Sequence, residues 1–224
     1  MALILCLETT TTNCSVAIAK DGEVLILKED MGLNYSHAER LHKYIAEVLK
    51  EASIDKKELN AIAVSEGPGS YTGLRIGVSS AKGLCFALDI PLIAIDTLQA
   101  MATQVSQPSD SIIPLLDARR MEVYCAVFDS QYQKLTETKA KIVDAESFKE
   151  YLEKGITVFI GNGVEKFSEI INNPKAVFIP EALPSSKEMA SLAEAKYKIS
   201  DFEDVAYFEP FYLKDFLITK PKKK

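Results

Sequence analysis

The stretch Ala61-Ile-Ala-Val-Ser-Glu-Gly-Pro-Gly-Ser-Tyr-Thr-Gly-Leu-Arg-Ile-Gly77 decides the fold of this 224-residue chain. It reads as a strand (Ala61–Ser65), a glycine loop (Gly67–Gly73) and the start of a helix reaching about Leu88. Glycines before a helix N-terminus suit phosphate, because backbone N–H groups can approach an anion there without hindrance. The run is not a P-loop, since neither Gly67 nor Gly69 begins a G-x-x-x-x-G-K-[ST] pattern, and its G-x-G-x-x-x-G spacing misses the dinucleotide fingerprint by one residue. That fingerprint also belongs on the first strand–helix turn, whereas three strand-like runs and a capped helix precede the loop here. A doubly wound dinucleotide fold is thereby disfavoured, although the next strand, Leu92–Ile95, ends in an acid, Asp96.

Upstream, Leu3–Thr9, Ser15–Lys20 and Glu23–Glu29 read as strands, the last two joined by Asp21-Gly22, a strong two-residue hairpin signal. Ser36-x-x-Glu39 is a capping box, and Leu41, Tyr44, Ile45, Val48, Leu49 and Ala52 keep helical spacing behind it. Downstream, a short helix follows Thr97, and the polar segment Gln104–Ser111 with Pro108 reads as a linker. The same order then restarts. Ile112–Leu116, Glu122–Phe128 and Lys134–Val143 are strand-like, Asp144 caps a helix to about Leu152, and Thr157–Ile160 is a strand. Val164–Ile171 is a helix, Val177–Ile179 a strand, and Ser185-x-x-Glu188 opens a helix to about Ile199. The residues do not repeat but the architecture does. The expectation is an α/β chain of two small domains, 1–105 and 106–224, each a mixed sheet flanked by helices. That is the plan of the duplicated actin-like or Hsp70-like (RNase H-like) ATPase fold.

Composition narrows the function. With 26 Lys+Arg against 32 Asp+Glu the net charge is −6, which argues against tight nucleic-acid binding by this chain alone. Hydrophobic residues at 47% exclude disorder. The apolar N-terminus meets Glu8 too soon for a signal peptide or membrane span, so a cytoplasmic protein without membrane contact is expected. Cys6, Cys14, Cys85 and Cys125 lack C-x-x-C spacing and read as buried reduced thiols. His37 and His42, five residues apart, point about 140° apart on a helix and do not converge on a metal. No G-x-S-x-G elbow supports a hydrolase. Lys220-Pro-Lys-Lys-Lys224 is a basic tail, read as a solvated end that can meet RNA once a complex has formed.

Two features point further. Glu8, Thr9 and Thr10 close the first strand, either as a polar turn or, in a two-halved ATPase, as a phosphate loop with a metal-holding carboxylate. In the helix Thr72–Leu88, Arg75 and Lys82 are the only charges, and Gly73, Gly77 and Ala81 recur one turn apart. A helix apolar nearly all round needs cover on two sides. One side is its own sheet; the other is another chain or the rest of its own domain.

Five motifs carry a family resemblance: Ile4-Leu-Cys-Leu-Glu-Thr-Thr10, Ser36-His-Ala-Glu-Arg-Leu41, Ser65-Glu-Gly-Pro-Gly-Ser-Tyr-Thr-Gly-Leu-Arg-Ile-Gly77, Pro91-Leu-Ile-Ala-Ile-Asp-Thr-Leu98, and Asp117-Ala-Arg119 with Glu122-Val-Tyr124. They resemble the TsaB (YeaZ-type) family, densely over residues 1–129. The resemblance implies a non-catalytic subunit that pairs with a larger catalytic paralogue of the TsaD type, joined by a TsaE-type ATPase. The assembly would transfer threonylcarbamoyl from threonylcarbamoyl-AMP to N6 of the adenosine beside the tRNA anticodon, with tRNA met only through the complex. It implies a partner interface on the helices Ser36–Ala52 and Thr72–Leu88, through His37, Leu41, Tyr44, Ile45, Leu74, Arg75, Gly77, Val78, Ala81 and Lys82, the same surface forming a homodimer in isolation. It implies no catalytic or metal-binding residue and no required cofactor. Weak ADP or ATP binding with magnesium would fall to Glu8, Thr9, Thr10, Gly69, Ser70, Tyr71 and Asp117. The rival readings are a stand-alone nucleotide-binding ATPase and a protease acting on the paralogue.

Overall fold

A computed structural model describes residues 2–30, 32 and 37–214. Ser36 of the expected capping box and the Lys220–Lys224 tail lie outside the described residues. Strands β1 (Leu3–Glu8), β2 (Cys14–Lys20) and β3 (Glu23–Asp30) form an antiparallel meander. Its second turn is Asp21-Gly22, with φ of +53° and +85°, values that glycine takes without strain. Then come α1 (His37–Ala52), a 3-10 turn (Lys56–Glu58), β4 (Ala61–Gly67), α2 (Tyr71–Leu88), β5 (Leu92–Asp96) and α3 (Thr97–Ala102). Strand β4 pairs parallel to β1, and β5 parallel to β4, giving the order β3-β2-β1-β4-β5. The second half supplies β6 (Ser111–Asp117), β7 (Glu122–Cys125), β8 (Lys139–Ile142), α4 (Lys149–Lys154), β9 (Thr157–Gly161), α5 (Val164–Ser168), β10 (Ala176–Pro180) and α6 (Ser186–Lys198). Its order, β8-β7-β6-β9-β10, repeats the first with the same parallel and antiparallel pairings. The duplicated actin-like plan expected from the sequence is the plan observed.

Each sheet buries both faces, and the covers are exchanged between the halves. Helices α1 and α2 cover one face of the first sheet, where Leu41, Ile45, Val48, Val78, Ala81 and Cys85 pack on Leu5, Leu7, Val16, Ile18, Ile62 and Val64. The opposite face is small: Ala2, Ile4, Cys6, Ala17, Ala61, Ala63, Ile93 and Ile95. It is covered by Met189 and Ala193 of α6, from the far end of the chain. Conversely, Leu98, Met101 and Ala102 of α3 pack on Ile112, Leu116, Val158 and Ile160 of the second sheet. The expected boundary at 105/106 therefore separates the two sheets but not the layers that seal them. Alanine-rich strands need a close-packing helix to exclude water, and the segment that provides it follows the second sheet in sequence.

Four expectations about the second half are corrected. Strand β7 stops at Cys125 rather than Phe128, which makes only isolated bridges to Ile112 and Lys134. Strand β8 begins at Lys139, not Lys134. Asp144 does not cap a helix; it closes a turn, accepting from Ser147 Oγ at 2.8 Å and the Glu146 amide at 3.1 Å. The helix starts after Phe148, whose φ of +63° turns the buried ring onto Phe159 and Phe167, at centroid distances of 5.6 and 5.5 Å. Aromatic burial here overrides the local capping preference. Helix α5 ends at Ser168, short of Ile171.

Candidate functional site

Glu8 ends β1, and its side chain is fully buried. Its Oε1 accepts from the Thr10 amide and from Thr10 Oγ1, each at 2.5 Å, and its Oε2 accepts from Ser65 Oγ. Burial pushes the carboxyl pKa above its ordinary value, while the Ser65 and Thr10 hydrogen bonds pull the other way. Thr9 and Thr10 are as deeply buried as Glu8. The polar turn is thus an inward-facing cluster that closes on itself.

The glycine loop is occupied in the same manner. A Cβ on Gly69 would lie 2.5 Å from Thr10 Cβ, one on Gly73 would lie 2.0 Å from the Thr9 carbonyl oxygen, and one on Gly77 would lie 2.3 Å from Thr9 Oγ1. The Ser70 amide donates to the Thr10 carbonyl at 2.7 Å, and Ser70 Oγ accepts from the Gly73 amide at 3.3 Å as the N-cap of α2. Small residues therefore admit the first hairpin against the start of α2. Of the expected nucleotide-site residues, Glu8, Thr9, Thr10, Gly69 and Ser70 are brought together, but as a packed seam. Tyr71 stands apart, its ring 5.0 Å from that of Tyr212, with the Arg75 guanidinium 4.2 Å from its centroid. Asp117 belongs to the second half, where its Oδ1 pairs with Lys166 Nζ at 2.5 Å and accepts from the Arg119 amide at 2.8 Å.

Beside the seam, α6 is held by a buried polar network. Ser15 Oγ lies 2.7 Å from Ser186 Oγ, Ser185 Oγ donates to Glu29 Oε2 at 2.8 Å, and Asn13 Nδ2 donates to the Pro184 carbonyl at 2.9 Å. Ser185 caps α6, accepting from the Lys187 amide. Glu188 is pushed up by burial first, with Glu29 and Glu8 adding.

On the two helices expected to meet a partner, most of the named residues face inward. Leu41, Ile45, Leu74, Gly77, Val78 and Ala81 are buried, most of them in the core against the first sheet. His37 is buried as well, its Nε2 2.7 Å from the Thr11 carbonyl, and burial pushes its pKa down. Tyr44 is half-buried against that core. Arg75 Nε donates to Tyr212 Oη at 3.3 Å, and Lys82 Nζ donates to the Ala206 and Phe208 carbonyls at 3.2 and 2.9 Å.

Those last bonds identify a second cover that the sequence left open between the chain itself and a partner. Residues 203–212 run beside α2 as a strap, with the Glu203 amide bonded to Leu92 O, the Phe211 amide bonded to Glu66 O, and Val205 and Phe208 packed on the core. Around α2 the sheet therefore lies beneath, the strap along the Tyr71–Arg75–Lys82 flank, and α1 along the other, where His42 Nε2 approaches Ser80 Oγ at 3.4 Å. At 100° per residue, Thr72, Ser79, Gly83 and Phe86 form the remaining outer stripe. All four are exposed, Phe86 at 86%, and a Cβ on Gly83 would meet nothing within 4 Å. Sequence reasoning missed these positions; they are the arc of the helical wheel opposite Leu74, Val78, Ala81 and Cys85.

Comparison with known proteins gives a consistent picture. A family model described as tRNA N6-adenosine threonylcarbamoyltransferase (TsaD) matches residues 33–217. The chain is similar to the tRNA threonylcarbamoyladenosine biosynthesis protein TsaB of Haemophilus influenzae, 28% identical over 95% of this chain and 93% of that one. Against TsaB of Buchnera aphidicola subsp. Schizaphis graminum the identity is 30% over 73% and 80%. Among solved structures, YeaZ from Pseudomonas aeruginosa superimposes with a TM-score of 0.84 at 26% identity, covering 95% of this chain and all of that one.

Proposed function

The chain belongs to the tRNA N6-adenosine threonylcarbamoyltransferase family, on its TsaB (YeaZ-type) side, and from that premise we propose that it is the scaffolding subunit in making threonylcarbamoyladenosine in tRNA. It works with a TsaD-type partner in that biosynthesis. In our reading the partner carries the chemistry, and this chain organises it through the outer edges of α1 and α2. A TsaE-type ATPase and a homodimer in isolation complete the expected set of associations.

The observation that carries the reading is the Phe86 ring, 86% exposed beside Gly83 on a helix whose other sides are all covered. Small exposed residues (Ser79, Gly83, Ala46 of α1) allow another helix to approach closely, and an aromatic anchor at the end of the stripe suits a contact hot spot. The burial of Glu8, Thr9 and Thr10 supports the same division of labour, because groups sealed in a packing seam are poorly disposed to turn over a phosphate ester. The test is co-purification with the TsaD-type partner. Wild-type chain is expected to co-elute with it and Phe86→Asp to elute alone while melting normally. Intact assembly in Phe86→Asp would remove the stripe from the interface. ATP turnover by the isolated wild-type chain would favour the stand-alone ATPase.

A further inference from the structure

We propose that the tip of the β6–β7 hairpin, with the strap residues beside it, is the surface through which this chain holds the phosphate backbone of RNA. The proposal rests on the reading of the chain as part of a tRNA-modifying assembly, and it assigns a role to residues outside the helical stripe.

The hairpin turns through the three residues Arg119-Arg120-Met121, closed by the Ala118 amide on Glu122 O at 3.0 Å and the Glu122 amide on Arg119 O at 3.1 Å. Arg119 and Arg120 have φ of +74° and +52°. Positive φ is the region that glycine and asparagine take at least cost. Two arginines in the left-handed region weaken the turn, and both side chains are exposed.

Their surroundings leave them electrostatically free. The two carboxylates of the hairpin are already matched by lysines. Lys166 Nζ pairs with Asp117 at 2.5 Å and donates to the Arg120 and Glu122 carbonyls at 2.6 and 3.1 Å. Lys214 pairs with Glu122 and lies 5.5 Å over the Tyr124 ring. Neither Arg119 nor Arg120 makes an ion pair or side-chain hydrogen bond among the described residues. In a chain of net charge −6, this turn is a local concentration of unneutralised positive charge.

Aromatic rings continue the surface. Two residues before Lys214, Tyr212 is 37% exposed and packs at a 40° tilt against Tyr71, which Arg75 covers in turn; Glu209 is the acid that acts on that arginine. Cations alternating with rings are the arrangement that holds a nucleic-acid strand, guanidinium groups taking phosphate oxygens in a fork while bases stack on tyrosine. The turn is a convex tip without converging amides, so it suits a repeating phosphate chain better than a single nucleotide, which prefers a concave pocket. Beyond Lys214 the sequence adds Lys220, Lys222, Lys223 and Lys224 against one acid, Asp215.

The test is fluorescence anisotropy of the full-length chain with a labelled anticodon stem-loop RNA, titrated in 50 and 200 mM KCl. Wild type is expected to bind with a Kd on the order of 10⁻⁴–10⁻⁶ M at the lower salt. The double variant Arg119→Asn with Arg120→Gly places at the two positive-φ positions residues that tolerate that backbone better than arginine, so its melting temperature should hold or rise. Its Kd should increase about tenfold, and its log–log salt slope should fall by roughly 1.4 for two lost phosphate contacts. Unchanged affinity and slope in this variant would overturn the proposal, as would absence of wild-type binding at 50 mM KCl. Displacement of the RNA by ATP or inorganic phosphate at equal phosphate concentration would also overturn it, making the tip a small-anion site. Co-purification of both proteins with the TsaD-type partner is measured in parallel. Loss of the partner with RNA binding intact would reassign the tip to a protein contact, and a wild type that binds RNA but not the partner would sink the scaffold reading while sparing this one.

Discussion

Thr9 and Gly73 are in direct contact: Thr9 Oγ1 donates to the Gly73 carbonyl at 2.8 Å, and a Cβ on Gly73 would come within 2.0 Å of the Thr9 carbonyl oxygen. Glycines before a helix N-terminus can admit a phosphate. Here its space is taken by the chain's own first hairpin, and the absent side chain serves packing rather than a ligand.

Gly73→Ala should therefore be destabilising by about 1–3 kcal/mol, since the clash is with backbone rather than with the end of a flexible side chain. At this chain length that lowers Tm by roughly 3–9 °C. Gly83→Ala, on the same helix but with nothing near its Cβ, should raise stability by up to about 1 kcal/mol. Thermal melts of the pair check both signs; equal melting temperatures would show that the seam yields.

The exchange of covers predicts how fragments behave. Residues 1–105 alone lack α6, leaving Ile4, Cys6, Ala17, Ala63, Ile93 and Ile95 open to water. That fragment should be insoluble or molten. Joining residues 186–214 to it through a flexible linker should restore cooperative melting and dispersed amide resonances. A well-folded 1–105 would show that the alanine face needs no helix.

Much of this was legible in the sequence. Asp21-Gly22, the apolar spacing of α1 and α2 and the strand–loop–helix run around Ser65 are local signals, and they placed the first sheet; the restart of the same order after Ser111 placed the second. The exchange of α3 and α6 was not legible, because Met189 and Ala193 carry no mark of which sheet they will cover. The helix expected from Asp144 failed because Phe148 gains more from the aromatic cluster than Asp144 gains from a cap. Most residues expected at the interface turn inward for a related reason. Small and apolar positions on α2 signal close approach, but Gly77 and Ala81 approach the chain's own hairpin and sheet, and the exposed positions are the ones left over.

Glu66 gives a pH dependence with a definite sign. Burial raises its pKa to about 6, Asp96 and Glu203 add to the rise, and Lys196 and Lys134 oppose it. The folded protein therefore binds the proton more tightly than the unfolded chain. Stability is undiminished below the unfolded value of 4.5, falls as pH rises from 4.5 through about 6, and stays lower above. The loss is at most about 2 kcal/mol, from 1.36 kcal/mol per pKa unit. Glu66→Gln should then melt higher than wild type at pH 7.5, with the gap closing near pH 4.5. A gap that widens on acidification would show that Glu66 is stabilised as the anion.

The contrast between Ala81 and Phe86 separates folding from assembly on one helix. Ala81 is fully buried against the first sheet. A charge there has no counter-ion, so Ala81→Asp should unfold or strongly destabilise the chain, on the order of 3–5 kcal/mol. Phe86 lies five residues on and 86% exposed. Phe86→Asp should leave the melt within about 0.5 kcal/mol of wild type. Yet it should weaken partner binding by about 2 kcal/mol or more, the scale of an aromatic hot spot, or about thirtyfold in Kd. Calorimetric titration of the TsaD-type partner into each folded variant measures the second effect, and thermal melts the first. If Ala81→Asp folds normally and only assembly is lost, the inward assignment of the small-residue face is wrong and the contact lies on the side originally expected. If both variants bind normally, α2 is not the docking helix.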